Sequence, residues 1–161
     1  EAIKMSLTSD AGGFALFEDG DVMARLDEII INALKIKKSV VEEDERENGL
    51  RKVLNFGHTV GHGIESAAGL GGLLHGESVA LGMLPMCSES VRERLMPVLE
   101  KVGLPTRVEV DTDIILEAMG HDKKLDGESI TAVYVSEIGS FEFRKMPIAQ
   151  LKKEVREALK K

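Results

Sequence analysis

From Asp21 to Glu47, apolar residues recur at helical spacing (Val22, Leu26, Ile29 or Ile30, Ala33, Leu34, Ile36, Val40, Val41), with charged positions between them and neither Gly nor Pro to interrupt. The pattern predicts one long amphipathic helix, and Asp21, directly after Gly20, is placed to accept from the free amides of its first turn. Upstream, Glu1–Leu7 reads as a short helix, Thr8 to Gly13 as a turn and Phe14–Phe17 as an apolar turn of helix. Downstream, Asn48-Gly49 stops the long helix and Leu50–Leu54 resumes a helical or turn-like run. Past a loop at Gly69 to Gly72, the apolar run Val79–Met86 predicts a buried helix that starts near His75. It should kink or step at Pro85, where proline removes a backbone donor and collides with the preceding turn. Further helices are expected at about Glu89–Val102, closed by Gly103-Leu104-Pro105, at Asp111–Met119 with an Asp or Thr cap, and at Ile148–Leu159. Alternation in Ile130–Val135 and again in Phe141–Arg144, separated by Ile138-Gly139-Ser140, predicts a β-hairpin. The fold class is therefore mainly α: a single multi-helix domain over residues 1–161 with one small β-hairpin.

Composition narrows the function classes. With 161 residues, 43% apolar and 30% charged, the chain suits one globular domain. No run approaches the roughly 20 apolar residues of a membrane span. The 28 Asp and Glu against 21 Lys and Arg give a net charge of −7, which repels a phosphate backbone, so no nucleic acid is expected as a partner. A single cysteine, Cys87, forms no internal disulfide, and no charged-then-apolar leader precedes the globular pattern; both point to a cytoplasmic setting. Because the chain begins at Glu1, inside helical sequence and not at Met, it is expected to be a processed or truncated piece of something longer.

The chemistry concentrates in Asn55-Phe56-Gly57-His58-Thr59-Val60-Gly61-His62-Gly63-Ile64-Glu65-Ser66. Glycines at 57, 61 and 63 would each cost a helix about 1 kcal/mol relative to Ala, so they suggest a backbone that approaches something closely. His58 and His62 stand four apart, which on a helix puts both imidazoles on one face. Position 59 is Thr, where a zinc peptidase helix needs Glu as its base, so peptidase chemistry is set aside. His75, beyond the glycine loop, could fold back toward the pair. Imidazoles are common ligands of zinc or cobalt, and a catalytic site takes about three protein ligands with one position open. Spacing alone equally allows His58 and His62 to be core residues and His75 a cap. Lys4, Lys37, Arg51, Asn55 and the Asp122-Lys123-Lys124 step would form an anion pocket if they converged on the histidines; taken singly, each lysine reads as a solvated surface residue.

Arg51 to Glu65, together with His75-Gly76-Glu77-Ser78-Val79-Ala80-Leu81-Gly82-Met83 and the upstream Glu42 to Arg51 stretch, resembles the 3-dehydroquinate synthase family, specifically its C-terminal helical half. The resemblance covers essentially the whole chain. It implies that an N-terminal domain holding most of the NAD is missing here, in keeping with the lack of a G-x-G-x-x-G fingerprint, and that the isolated piece is inactive. It implies a divalent metal, zinc or cobalt, held by Glu1, His58 and His75. Lys4 would contact the substrate carboxylate; Lys37, Asp44, Arg51, Asn55, His62 and one or both of Lys123 and Lys124 would surround the ring hydroxyls and the phosphate. His75 also counts among the residues near the substrate, and His62 is the candidate for phosphate contact and proton handling.

The implied reaction converts a small-molecule sugar acid phosphate, 3-deoxy-D-arabino-heptulosonate 7-phosphate, into 3-dehydroquinate and phosphate, in a full-length enzyme that is a homodimer. Val60, Gly63 and Met5-Ser6 depart from the family's usual residues at packing positions. Three other readings stand beside this one: a sister cyclase such as 2-deoxy-scyllo-inosose synthase, a metal-dependent polyol dehydrogenase of the same architecture, and a helical interaction domain whose histidines are structural.

Overall fold

Two helices whose sequences carry glycine where they face each other form the centre of the molecule, and the remaining elements are arranged around them. The computed structural model describes residues 1–46, 49–69, 71–119 and 129–159. Helix α1 (Ala2–Ser9) is buried from Ile3 to Thr8. Helix α2 (Ala11–Asp19) follows after a single residue, Asp10, whose carboxylate accepts from the Gly13 amide at 2.9 Å. The segment that reads as a turn is thus a one-residue break. Asp10 ends one helix and caps the next, so Gly12 and Gly13 fall in a first turn whose free amides already have an acceptor.

Helix α3 (Leu26–Glu43) starts five residues later than the apolar spacing predicts. Asp21 does accept from free amides, those of Met23 at 3.0 Å and Ala24 at 3.2 Å, but it closes a turn that precedes the helix. Of the apolar stripe only Ile29 and Val40 are buried; Leu26, Ile30, Ile31 and Leu34 are 37% to 61% exposed. The main contacts of the helix among the described residues are with α1, α2 and residues 50–55, which cover one narrow face.

A 3-10 turn at Leu50–Asn55 leads through buried Phe56 and left-handed Gly57 (φ +76°) into α4 (His58–Ala68). Helix α5 (His75–Met83) begins where expected and steps into a 3-10 turn, Leu84–Met86, at Pro85. Helix α6 (Glu89–Lys101) is capped by Ser88, whose hydroxyl accepts from the Val91 amide. Then come α7 (Thr112–Met119), strands β1 (Ser129–Tyr134) and β2 (Glu142–Pro147), paired antiparallel with Ala132 opposite Arg144, and α8 (Ile148–Leu159). Backbone bonds that join the hairpin to the helical body include Ser88 N–H to Val135 O, Val135 N–H to Met86 O and, from the connection between the strands, Gly139 N–H to Leu7 O. No helix among the described residues is long and apolar enough to cross a membrane.

The contact between α4 and α5 decides where the histidines go. A Cβ on Gly82 would strike the Gly57 carbonyl and come within 2.6 Å of the Gly61 amide; one on Gly61 would lie 3.0 Å from the Ser78 carbonyl. The two backbones therefore touch directly. On the far side of α4, a Cβ on Gly63 would lie 2.5 Å from Met119 Cγ of α7. What the glycines approach is neighbouring helix, and the helical propensity they forfeit is offset by burying Val60, Ile64, Leu81 and Met83.

Gly82→Ala should therefore destabilise the chain by roughly 1–3 kcal/mol in urea denaturation, the range for overpacking a filled contact. Gly76→Ala, also on α5 but with open space around it, should be neutral or gain about 0.5–1 kcal/mol. Equal midpoints for the two variants would show that the helix contact is not as tight as described.

Candidate metal and substrate site

Helix α4 carries His58, His62 and Glu65 at positions i, i+4 and i+7, one face of two turns. The close approach of α5 sets its first residue, His75, opposite that face. The three imidazoles form a triangle, with ring centroids 5.6 Å apart for His58 and His62, 5.4 Å for His58 and His75, and 5.8 Å for His62 and His75. His58 Nδ1 lies 3.1 Å from the Phe56 carbonyl, and His75 Nδ1 lies 3.0 Å from Glu65 Oε2. Both partners can only accept, so each Nδ1 carries a hydrogen, and Nε2 is the atom that the neutral form of each ring would offer a cation. The start of α5 is held by its own cap, in which the Leu74 amide donates to Glu77 Oε2 at 2.7 Å.

Beside His58 stands a buried cation. Lys4 is 2% exposed, and its ammonium donates to Glu1 Oε1 and to the Leu54 carbonyl, each at 2.7 Å. Burial pushes the Lys4 pKa down, against the pull of the Glu1 carboxylate. Burial would raise the Glu1 carboxyl, but the Lys4 hydrogen bond and charge, with smaller help from the amino terminus and Lys37, hold it below its ordinary range. Lys37 Nζ reaches to 3.7 Å from Glu1 Oε2. Burial, and then the Lys4 charge, lower the His58 pKa to about 4, with the Phe56 carbonyl and Glu1 working the other way. His58 is accordingly a neutral ring at neutral pH, the form that can ligate.

The other expected residues divide between a neighbouring loop and a region outside the description. Asp44 ends α3, and its Oδ2 accepts from the amides of Gly49 at 2.8 Å and Arg51 at 3.0 Å, so it folds the loop that leads into the 3-10 turn. Arg51 donates to the Glu45 carbonyl at 3.0 Å. Asn55 is the last residue of that turn, just ahead of Phe56 and the histidine helix. Lys123 and Lys124 lie outside the described residues. Cys87 is buried with its pKa pushed up to about 11, so it stays a thiol.

Two overlapping donor sets can be drawn in this cluster. Glu1, His58 and His75 form the expected one: His58 and His75 are adjacent, and the Glu1 carboxylate, paired with Lys4, acts on the His58 charge, but the donor atoms of these three do not all come within 4.8 Å of one another. The second is His62, Glu65 and His75, which each offer a donor atom within 4.8 Å of the others. Imidazole and carboxylate donors fit zinc or cobalt in either case. Glu65 was not among the residues singled out by sequence, although its place three after His62 and seven after His58 was the available signal.

Residues 1–125 match the family model described as 3-dehydroquinate synthase C-terminal. The 3-dehydroquinate synthase of Streptococcus pneumoniae is 35% identical over 94% of this chain and 47% of its own length. That of Lactococcus lactis subsp. cremoris is 36% identical over the same shares, and that of Streptococcus sanguinis 38% identical over 81% of this chain and 40% of its own. The chain thus spans about half the length of these relatives. In structure it is similar to 2-epi-5-epi-valiolone synthase from Streptomyces hygroscopicus subsp. jinggangensis, solved with NAD+ and Zn2+, with a TM-score of 0.80, 24% identity, and coverage of 98% of this chain and 48% of that one. It is also similar to 2-deoxy-scyllo-inosose synthase complexed with carbaglucose-6-phosphate, NAD+ and Co2+, at a TM-score of 0.77, 23% identity, and 98% and 50% coverage.

In chelator-treated protein, the His58 ring should show the Nδ1-protonated neutral tautomer by nitrogen NMR from pH 8 down to pH 5 and titrate only toward pH 4. Because the unfolded ring takes its proton near the ordinary value of 6.5, the unfolded state binds more protons below that value. Stability from this residue is full above pH 6.5 and falls away as the pH drops toward 4. Titration of His58 near 6.5 would refute the buried, cation-flanked environment.

Proposed function

Since the chain belongs to the 3-dehydroquinate synthase family, through that enzyme's C-terminal domain, we propose that it is the metal- and substrate-binding part of a phosphorus–oxygen lyase of the shikimate pathway. The enzyme would convert 3-deoxy-D-arabino-heptulosonate 7-phosphate to 3-dehydroquinate and phosphate in the cytoplasm, with NAD held mainly by an N-terminal domain. The observation that carries the reading is the meeting of His58, His62 and His75 across the α4–α5 contact, with buried Lys4 at their side.

Glu1 and the Nε2 atoms of His58 and His75 would hold zinc or cobalt. When bound, that ion polarises a substrate oxygen and NAD accepts and returns a hydride. The chain's own residues do the rest. Lys4, stripped of water, has two of its three donor hydrogens on Glu1 and Leu54, and its charge suits a substrate carboxylate. Burial, and then the same charge, keep His58 neutral and its lone pair available. His62, on the same face of α4, is positioned to donate to a phosphate oxygen and to move a proton there. Lys37, 3.7 Å from Glu1 Oε2, adds positive charge beside Lys4, and Arg51, Lys123 and Lys124 would complete the set assigned to the phosphate. In a protein of net charge −7, these cations make the pocket the place where a doubly charged phosphate is tolerated. Asp44 keeps Arg51 in place through its backbone amide, and with Asn55 serves the ring hydroxyls.

A sister cyclase is the second reading, favoured by the structural likeness to valiolone and inosose synthases. The higher identity to dehydroquinate synthases, 35–38% against 22–24%, argues for the first. Turnover by the parent protein separates them: release of phosphate from the seven-carbon sugar acid phosphate and none from glucose 6-phosphate is expected, and the opposite preference would make it a sister cyclase. The 161-residue chain alone, supplied with substrate, NAD and zinc, should form no dehydroquinate; its formation would place the whole reaction on these residues.

Metal binding tests the ligand set. His58→Ala and His75→Ala should each weaken zinc affinity by more than roughly 100-fold, beyond what loss of an outer partner costs. Unchanged affinity in both would leave the histidines with a purely structural role.

A further inference from the structure

The proposed function leaves Glu65 without a part, yet its carboxylate bridges α4 and α5 at the centre of the histidine cluster. Glu65 Oε2 lies 3.0 Å from His75 Nδ1, with side chains 39% and 54% exposed. A pair this solvated contributes at most about 1 kcal/mol to folding, so stability alone gives it little reason to exist. Its effect on the ring is larger. An imidazole ligates through one nitrogen only when the other is engaged, because that second hydrogen bond selects the tautomer and the ring orientation.

The two proposed histidine ligands meet this need differently. His58 follows the left-handed Gly57, which turns the Phe56 carbonyl back onto its Nδ1. His75 is the first residue of α5, where the nearby helical backbone groups are amide donors in search of acceptors. His58 also opens a helix and finds a backbone carbonyl there, so a helix start does not forbid one; at His75 the partner of Nδ1 is instead a side chain from another element. The face of α4 supplies it at the position three beyond His62.

We propose that Glu65 is a positioning residue: it takes the Nδ1 hydrogen of His75 and thereby aims the Nε2 lone pair toward the space between His75 and His58. This rests on the reading of His75 as a metal ligand. It excludes the alternative in which Glu65 itself is a ligand with His62 and His75, which their mutual distances of up to 4.8 Å would allow.

The experiment uses zinc competition against a chromophoric chelator, the visible spectrum of the cobalt-loaded chain and nitrogen NMR of the metal-free His75 ring, on wild type, Glu65→Ala, Glu65→Gln and His75→Ala. Glu65→Ala should lose roughly 10–100-fold in zinc affinity and let the His75 ring populate both tautomers. Glu65→Gln, whose amide oxygen still accepts from Nδ1, should recover most of the affinity and the single tautomer. The cobalt band of both Glu65 variants should keep the intensity of the wild-type coordination number, and His75→Ala should lose more affinity and change the band. Wild-type affinity in Glu65→Ala beside a weakened His75→Ala would overturn the positioning role and leave the metal reading intact. Loss in both Glu65 variants to the level of His75→Ala, with a changed cobalt band, would overturn it by making Glu65 a ligand. Wild-type affinity in His75→Ala would remove the metal reading and the positioning role with it.

Discussion

The distance between α4 and α5 governs the chemistry of this protein. Side chains ordinarily hold packed helices 8–10 Å apart, and here the contact surface has had them removed at Gly57, Gly61 and Gly82, so backbone rests on backbone. Two histidines on one helix make one wall of a site. The third comes from the next helix, and its ring reaches the first two only because that helix lies so near. The same surface carries Val60 and Ile64 into the core, which pins the rotation of α4 and hence the direction in which positions 58, 62 and 65 face.

Electrostatics around this contact run against the protein's overall charge. A chain with a net charge of −7 has buried a lysine beside a histidine. Such an arrangement costs stability, because the Lys4 charge loses its water and weakens the basicity of His58. Glu1 and the Leu54 carbonyl recover part of that cost through hydrogen bonds. The outcome is a neutral imidazole next to a poorly hydrated cation, a combination of little use for folding and suited to holding a metal ion and an anionic substrate side by side. Function and stability pull apart here as they do at many sites where pKa values are displaced.

Much of the architecture was legible because it depends on local signals. The start of α5 at His75, the step at Pro85, α8 from Ile148 to Leu159 and the hairpin each follow from spacing, proline geometry or alternation within a dozen residues. The errors share one cause. The apolar spacing on residues 22–41 predicts an amphipathic helix, yet burial depends on what lies opposite, and of that stripe only Ile29 and Val40 are buried. Asp21 was correctly identified as an acceptor of free amides, but a side chain that caps a turn and one that caps a helix look the same in sequence. Glu65 went unnoticed because a glutamate on a helix is the most ordinary of surface residues until its neighbour across the interface is known.

By itself, then, the sequence determined the helices, the glycine-marked face and the residue types capable of binding a cation and a phosphate, since all of these are set by periodicity and by the chemistry of single side chains. It could not determine which nitrogen of each imidazole is available, that Lys4 is buried against Glu1 and Leu54, or that Glu65 meets His75. Those facts belong to pairs of groups 2 to 50 residues apart. Hydrogen bonds and desolvation depend on ångström-scale placement, and only the tertiary arrangement of α1, the 3-10 turn at Leu50–Asn55, α4 and α5 supplies it.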